Sequence, residues 1–141
     1  MIEGSKGSGF ILSLYERKSR LGKLYKLSSK ESYKTACGIV SLLRKHKVRS
    51  VTYDNGLEFS KHEFVNELLD CKSFFCKPYS SWEKGGVENF NGLVRQYYPK
   101  GSSFRGITQG DLVEVEMELN ERPRNALNYQ CPNDFIDRLS A

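Results

Sequence analysis

The segment between Tyr53 and Arg95 constrains this chain more than any other part of it. It opens with a short apolar run, Val51-Thr52-Tyr53, which leads into Asp54 and a predicted tight Asn-Gly turn. It closes with a predicted helix after Trp82, which presents Glu88 on one face. An Asp at the end of a strand and a Glu on a helix are components of a hard-metal site built from carboxylate oxygens. The segment therefore predicts an α/β protein with a candidate metal site.

The predicted helix carries two stripes of residues at helical spacing. One is apolar and predicts a core face: Val87, Phe90, Val94 and Tyr97. The other combines a carboxylate, an amide, a glycine that permits close approach and a cation suited to phosphate: Glu88, Asn91, Gly92 and Arg95. A glycine inside a helix costs about 1 kcal/mol relative to alanine, and a merely solvated face would not need it. The second stripe therefore favours a functional face.

Four motifs along the chain resemble the DDE transposases of bacterial insertion sequences, and most closely the IS-thirty family. They are the D-N-G-x-E-F turn at 54–59, the W-x-x-G-x-x-E-N-x-N-G-x-x-R helix at 82–95, Tyr98-Pro99-Lys100-Gly101, and Leu119-Asn120-Glu121-Arg122-Pro123-Arg124. They occur in order over nearly the whole chain, which is far more specific than one Asp and one Glu.

The resemblance implies a ribonuclease-H-like fold of the integrase catalytic core type, with three layers and a mixed sheet. It also implies three acidic residues that hold two divalent ions, Mg²⁺ or Mn²⁺. Asp54 and Glu88 match two of these three catalytic and metal-binding residues. Asn55, Gly56 and Gly92 are expected to support the site.

The predicted DNA contacts lie on the helix and in the loops beside it: Lys77, Trp82, Asn91, Arg95 and Lys100. A basic residue next to aromatic residues suits an unstacked DNA end. Packing of Trp82 against the fold is an equally good interpretation from sequence alone.

The third acidic residue of the family lies on the first strand, in a pattern W-E-x-D. Met1-Ile2-Glu3-Gly4 matches the residues that follow that Asp, so we expect the bridging Asp to be absent and the first strand to be truncated. Glu3 is a poor substitute, because on a strand its side chain points to the opposite face. The N-terminal DNA-recognition region of the family is also expected to be absent. Either the gene is disrupted, or the start was assigned to an internal Met.

Composition is compatible with this interpretation. The 141 residues fit a single domain, 1–141, and 22 basic against 17 acidic residues give a net charge of +5, which suits a polyanionic partner without requiring one. Four cysteines and two histidines lack zinc-ligand spacing. We expect neither a membrane span nor a secretory signal, and a reducing bacterial cytoplasm, close to the nucleoid, is the expected setting.

The remaining elements follow from periodicity and capping patterns. We expect strands at 10–15, 21–27 and 48–53, a helix capped by Ser28 and Glu31 that runs to about His46, and a helix capped by Ser60 and Glu63. That second helix is expected to turn Phe64, Val65, Leu68 and Leu69 inward and to precede a buried strand at 73–76. A last helix from Thr108 to about Asn120 is followed by a closing segment. The basic residues that end the first helix, Arg44, Lys45, Lys47 and Arg49, are better explained by the helix dipole than by DNA.

Four interpretations remain open at this point. The first is a transposase catalytic core for DNA cleavage and strand transfer, with catalysis impaired by the missing Asp. The second is a non-catalytic fragment that binds DNA or a full-length transposase. The third is a stable remnant with no activity, and the fourth is another nuclease of the same fold. A homo-oligomer is compatible with the first two.

Overall fold

The computed structural model describes residues 1–54, 56–76 and 85–121. It contains five strands: β1 (Ile2–Glu3), β2 (Phe10–Tyr15), β3 (Gly22–Leu27), β4 (Ser50–Tyr53) and β5 (Lys72–Phe75). Its α-helices are α1 (Ser32–Leu43), α2 (His62–Leu69), α3 (Gly85–Tyr97) and α4 (Gln109–Asn120), and a 3₁₀ turn spans Leu57–Phe59. None of these helices is long and apolar enough to cross a bilayer.

The strands form two ladders. β1, β2 and β3 make an antiparallel sheet, in which Ile2 pairs with Ile11 and Leu12 with Tyr25. β4 and β5 pair in parallel, with Ser50 opposite Lys72. The parallel pairing expected from strand–helix alternation is thus present, as is the short first strand of the meander.

Apolar residues on both faces of β2 form two cores, because neighbouring strand residues point to opposite sides. Ile11 belongs to a core with Phe90 and Val94 of α3 and with the buried residues of α4. Leu12 belongs to a second core with Ile39 of α1 and Val65 of α2. Helices therefore cover both faces of the sheet, which is the expected three-layer arrangement.

The outer edge of β3 is covered by polar side chains of α4. Asn120 Oδ1 accepts from Gly22 N at 2.9 Å, and Asn120 Nδ2 donates to Gly22 O at 2.9 Å. Glu116 Oε2 accepts from Leu24 N at 3.0 Å, and Gln109 bonds both Leu24 O and Lys26 N at 2.9 Å. These side chains satisfy backbone groups that a further strand would otherwise bind, and so close an edge that is prone to pairing with other chains.

Two of the predicted helix starts were wrong. α1 begins after Glu31 and α2 after Lys61, and neither N-cap residue makes a side-chain capping bond, so Ser28 and Ser60 do not cap these helices. α1 also ends at Leu43 rather than near His46. Capping patterns are short and occur by chance, whereas tertiary packing decides where a helix begins.

The burial expected around α2 and β5 was also partly wrong. Of the apolar residues of α2 only Val65 is buried, and Phe64 and Leu68 are 36% and 57% exposed. Phe74 and Phe75 of β5 are 55% and 42% exposed. An apolar run indicates that burial of its side chains would be favourable, but whether they are buried depends on whether other parts of the fold pack over them. The last helix, in contrast, is confirmed: Thr108 and Asp111 form a capping box, and Leu112, Val115 and Leu119 are buried.

Candidate metal and nucleic-acid site

Asp54 directly follows β4, at the carboxyl end of the parallel pair, and its side chain is half-buried. Its Oδ1 accepts a hydrogen bond from Gly56 N at 3.2 Å, the arrangement by which an Asp starts a turn. Gly56 has φ −78° and ψ 145°, so the turn does not need it for a left-handed backbone. A Cβ at Gly56 would instead lie 2.4 Å from the carboxylate of Glu58, which therefore lies over the turn.

The ring of Tyr53 anchors the strand end that carries Asp54. It packs against Phe59 and Phe75, with centroids 5.2 and 5.4 Å apart. Burial, and then the nearby Cys71, raise the pKa of Tyr53 to about 12, so its hydroxyl keeps its proton. The position of Asp54 is thus fixed by an aromatic cluster beneath it.

Glu88 lies in the first turn of α3 and is exposed. The helix is held from its other face, where Phe90 and Val94 are buried in the core. The close fit is clearest at Gly22, because a Cβ there would lie 2.1 Å from the Phe90 ring. Two of the four residues of the predicted apolar stripe, Phe90 and Val94, are therefore buried, and they fix the side of α3 on which Glu88 projects.

Asn91 and Gly92 share the outer part of α3 with Glu88. Asn91 Oδ1 is buried and has no hydrogen-bond partner among the described residues. Gly92 is exposed, and apart from its chain neighbours and the backbone of α3 no described atom lies within 4 Å of the place where its Cβ would be. The described fold therefore gives no packing reason for a glycine at position 92.

Arg95 binds two backbone carbonyls. Its Nη2 donates to Glu3 O at 2.8 Å and its Nη1 to Tyr98 O at 3.3 Å, and its guanidinium lies 6.0 Å from the centre of the Phe104 ring. Arg95 thus ties the end of β1 to the end of α3. A guanidinium has five N–H donors, so three remain after these bonds.

Phe104 is a member of this region that sequence reasoning missed. It is fully buried, and its ring also faces the ammonium of Lys26 at 5.5 Å. A Cβ at Gly4 would lie 2.7 Å from the ring. A single aromatic residue in a polar connector has no periodic pattern, so the sequence carries no signal for this role.

Of the other predicted site residues, the structure describes Lys100. Lys100 is exposed in the turn after α3, where Gly101 has φ +84°, a conformation that favours glycine. Lys77, Trp82 and Asn55 lie outside the described residues. The predicted roles of all these residues in DNA binding or support remain predictions.

The donor chemistry suits a hard divalent ion, because Asp54 and Glu88 offer carboxylate oxygens. Within the described ranges, however, no group of three or more His, Cys, Asp or Glu side chains is arranged to hold a metal ion. These residues therefore fit part of a metal site rather than a complete one.

The fold resembles solved structures. The catalytic core domain of BIV integrase superposes with a TM-score of 0.70 over 94% of this chain and 88% of that domain, at 19% sequence identity. The chain therefore has the ribonuclease-H-like α/β fold of integrase catalytic cores, as the resemblance implied.

Sequence relatives identify the family. The chain is 44% identical over 140 residues to the transposase for insertion sequence element IS4351 of Bacteroides fragilis, covering 98% of this chain and 43% of that transposase. It is 35% identical over 141 residues to the transposase InsI for IS30A of Escherichia coli, covering 98% and 37%. The IS1086 transposase of Cupriavidus metallidurans is 33% identical over 144 residues, covering 100% and 42%. No protein-family model matches. The chain belongs with the IS-thirty family of transposases, and it spans less than half the length of these relatives.

Proposed function

We propose that this chain is the catalytic core region of a transposase that cleaves DNA and transfers strands in transposition. The main support is that Asp54 directly follows β4 and Glu88 lies in the first turn of α3, each within a motif of the family, in a chain with transposase relatives. Its partner is DNA, both transposon ends and target, and its setting is the bacterial cytoplasm at the nucleoid. Strand transfer takes place in a homo-oligomer or together with a full-length transposase.

Asp54 and Glu88 would hold Mg²⁺ or Mn²⁺ through carboxylate oxygens. Such ions, when bound, activate an oxygen nucleophile and neutralise charge on the leaving oxygen of a phosphodiester. The turn bond from Gly56 N orients the Asp54 carboxylate, and the buried side of α3 holds Glu88 on a rigid element.

Asn91, Arg95 and Lys100 would contact the DNA backbone next to the carboxylates, together with Lys77 and Trp82. Arg95 has three N–H donors beyond its two carbonyl bonds, and Lys100 is exposed. Asn55, Gly56 and Gly92 would support this surface.

Iron-mediated cleavage tests the proposed metal ligands without requiring DNA turnover. Fe²⁺ bound in place of Mg²⁺ generates hydroxyl radicals with ascorbate and peroxide, and these cut the polypeptide near the ion. We expect cuts near residues 54 and 88 that excess Mn²⁺ suppresses and that Asp54→Asn or Glu88→Gln abolishes. Glu58→Gln is the matched control, because it removes a neighbouring carboxylate and should leave the cuts unchanged. Cuts that persist in Glu88→Gln would rule out Glu88 as a ligand.

A second candidate function is non-catalytic binding to DNA or to a transposase. It is favoured by the lack, among the residues that the structure describes, of three acidic groups arranged for a metal. The wild-type chain would then bind DNA but show no Mn²⁺-sensitive cuts at either carboxylate.

A further inference from the structure

Four exposed cations lie in the segment that precedes β4, and a fifth is the first residue of β5. We name them the basic end surface: Arg44, Lys45, Lys47, Arg49 and Lys72. The segment 44–49 joins the end of α1 to the start of β4, and Lys72 begins β5. Lys72 N donates to Arg49 O at 3.1 Å, which brings the two strand starts together. The surface therefore combines residues from separate parts of the chain.

These charges are not neutralised by the described residues around them. Segment 44–50 contains no acidic residue, and the nearest acidic residue before Lys72 is Asp70. The ion pairs found in the described ranges are Lys23–Glu116 and Lys34–Glu31, neither of which includes a cation of this surface.

A further positive charge lies nearby. Burial, and then the charge of Lys23, lower the pKa of His46, which lies within the basic segment. Lys23 itself lies 3.9 Å from Glu116, so its own charge is partly balanced. Lys23 therefore adds positive charge next to the basic segment.

The helix dipole, the explanation favoured from the sequence, does not account for this cluster. α1 ends at Leu43, and only Arg44, its C-cap residue, is close to the helix end. The dipole effect is confined to the last turn of a helix, so Lys45, Lys47 and Arg49 gain little from it. Several like charges held close together cost free energy that a polyanion would recover.

We propose that the basic end surface binds the sugar–phosphate backbone of duplex DNA, at the opposite end of β4 from Asp54. At about 3.3 Å per strand residue, the four residues of β4 separate the two ends by roughly 13 Å. The inference rests on the proposed action on DNA and adds to it a second contact that carries no metal ligand. Lysine and arginine bind duplex phosphates without reading sequence, so the surface holds DNA of any sequence.

The salt dependence of DNA binding tests this proposal. The surface variant replaces Lys45, Lys47, Arg49 and Lys72 by Gln. A control variant replaces four exposed cations elsewhere by Gln, at Lys6, Arg17, Lys18 and Arg105, and so carries the same net charge. The affinity for a random-sequence duplex of about 30 base pairs is measured over a range of NaCl concentrations by fluorescence anisotropy.

The plot of log affinity against log salt has a negative slope, and each lost phosphate contact reduces the magnitude of that slope by about 0.9. We expect the magnitude of the slope to fall by about 3 in the surface variant and by less than 1 in the control variant. Replacing the three lysines by Arg should keep the wild-type slope, which separates loss of charge from loss of fold. Equal slopes in the surface and control variants would overturn the proposal, as would an unchanged slope in the surface variant. Binding to anionic lipid vesicles that needs this surface, without a DNA slope, would also overturn it.

The proposals of the metal site and of the basic end surface can be rejected independently. If Glu88→Gln abolishes the iron-mediated cuts and leaves the salt slope unchanged, the two sites are independent. A normal slope loss in the surface variant, together with no cuts in the wild type, would support the surface and reject the metal site.

Discussion

The contact between Asn120 and Gly22 should contribute a large part of the stability of this fold. Asn120 is 4% exposed and makes two hydrogen bonds of 2.9 Å to the backbone of Gly22, a residue 98 positions away. Asn120→Ala removes both bonds and leaves a buried N–H and a buried carbonyl unpaired. Each orphaned group costs about 1–3 kcal/mol, so we expect the two together to cost about 2–6 kcal/mol. That loss is a large fraction of the roughly 5–15 kcal/mol that stabilises a typical domain.

Urea unfolding followed by far-ultraviolet circular dichroism measures this loss. The midpoint should fall with little change in m-value, because the surface exposed on unfolding is almost the same. For a domain of this size the melting temperature should drop by about 6–24 °C. The matched control is Asn89→Ala on the exposed side of α3, which should change stability by less than about 0.5 kcal/mol. A loss below about 1 kcal/mol in Asn120→Ala would refute the reasoning.

Asn120→Asp refines the test because it keeps the size of the side chain. One oxygen still accepts from Gly22 N, but the other faces Gly22 O and can be satisfied only when protonated. The folded-state pKa of this new carboxyl should therefore rise above its unfolded value of about 3.9. Its stability contribution is present below that value and is lost as the pH rises through the folded pKa. The difference in the free energy of unfolding between Asn120→Asp and Asn120→Ala should therefore shrink or reverse with rising pH. A difference that does not depend on pH would contradict the geometry.

Two further changes probe other contacts. Arg95→Ala removes the bonds to Glu3 O and Tyr98 O and should lower the free energy of unfolding in urea by about 1.5–3 kcal/mol. Arg95→Lys should recover at most half of this loss, because an ammonium lacks the guanidinium fork. Wild-type stability in Arg95→Ala would reject the tie between β1 and α3. Burial raises the pKa of Glu116, opposed by Leu24 N–H and Lys23, so its contribution is complete below the usual value of 4.5 and declines as the pH rises through the folded pKa. Glu116→Gln should flatten the stability–pH curve above pH 4.5, and an unchanged curve would exclude this carboxyl as a cause.

Several elements could be predicted from sequence because their signals are local. The strand at 10–15 has the same bounds in the structure, and α4 begins directly after Thr108, where the last helix was expected to start. The buried stripe of α3 also follows from helical spacing. Weaker local signals misled, since Ser28 and Ser60 sit in capping patterns that the packed helices do not use.

The candidate site divides in the same way. Asp54 and Glu88 stand out by residue type within long motifs. The structure adds the hydrogen bond from Gly56 N to Asp54 and the packing of Tyr53 against Phe59. Arg95 was predicted to contact phosphate, but nothing in its sequence context indicates that Glu3 O lies 2.8 Å from its guanidinium. Phe104 gave no signal at all.

The sequence by itself determined the family, the alternation of strands and helices, and the residue types at the candidate site. Periodicity and motifs carry this information because they depend on neighbours within a few turns of chain. Only the tertiary structure decided which polar groups meet, such as Asn120 with Gly22, and which apolar residues stay exposed, such as Phe74. The spacing of residues along the chain indicates which face of a helix or strand a side chain occupies. Which residue it contacts depends on how distant elements pack, and that packing is a property of the whole fold.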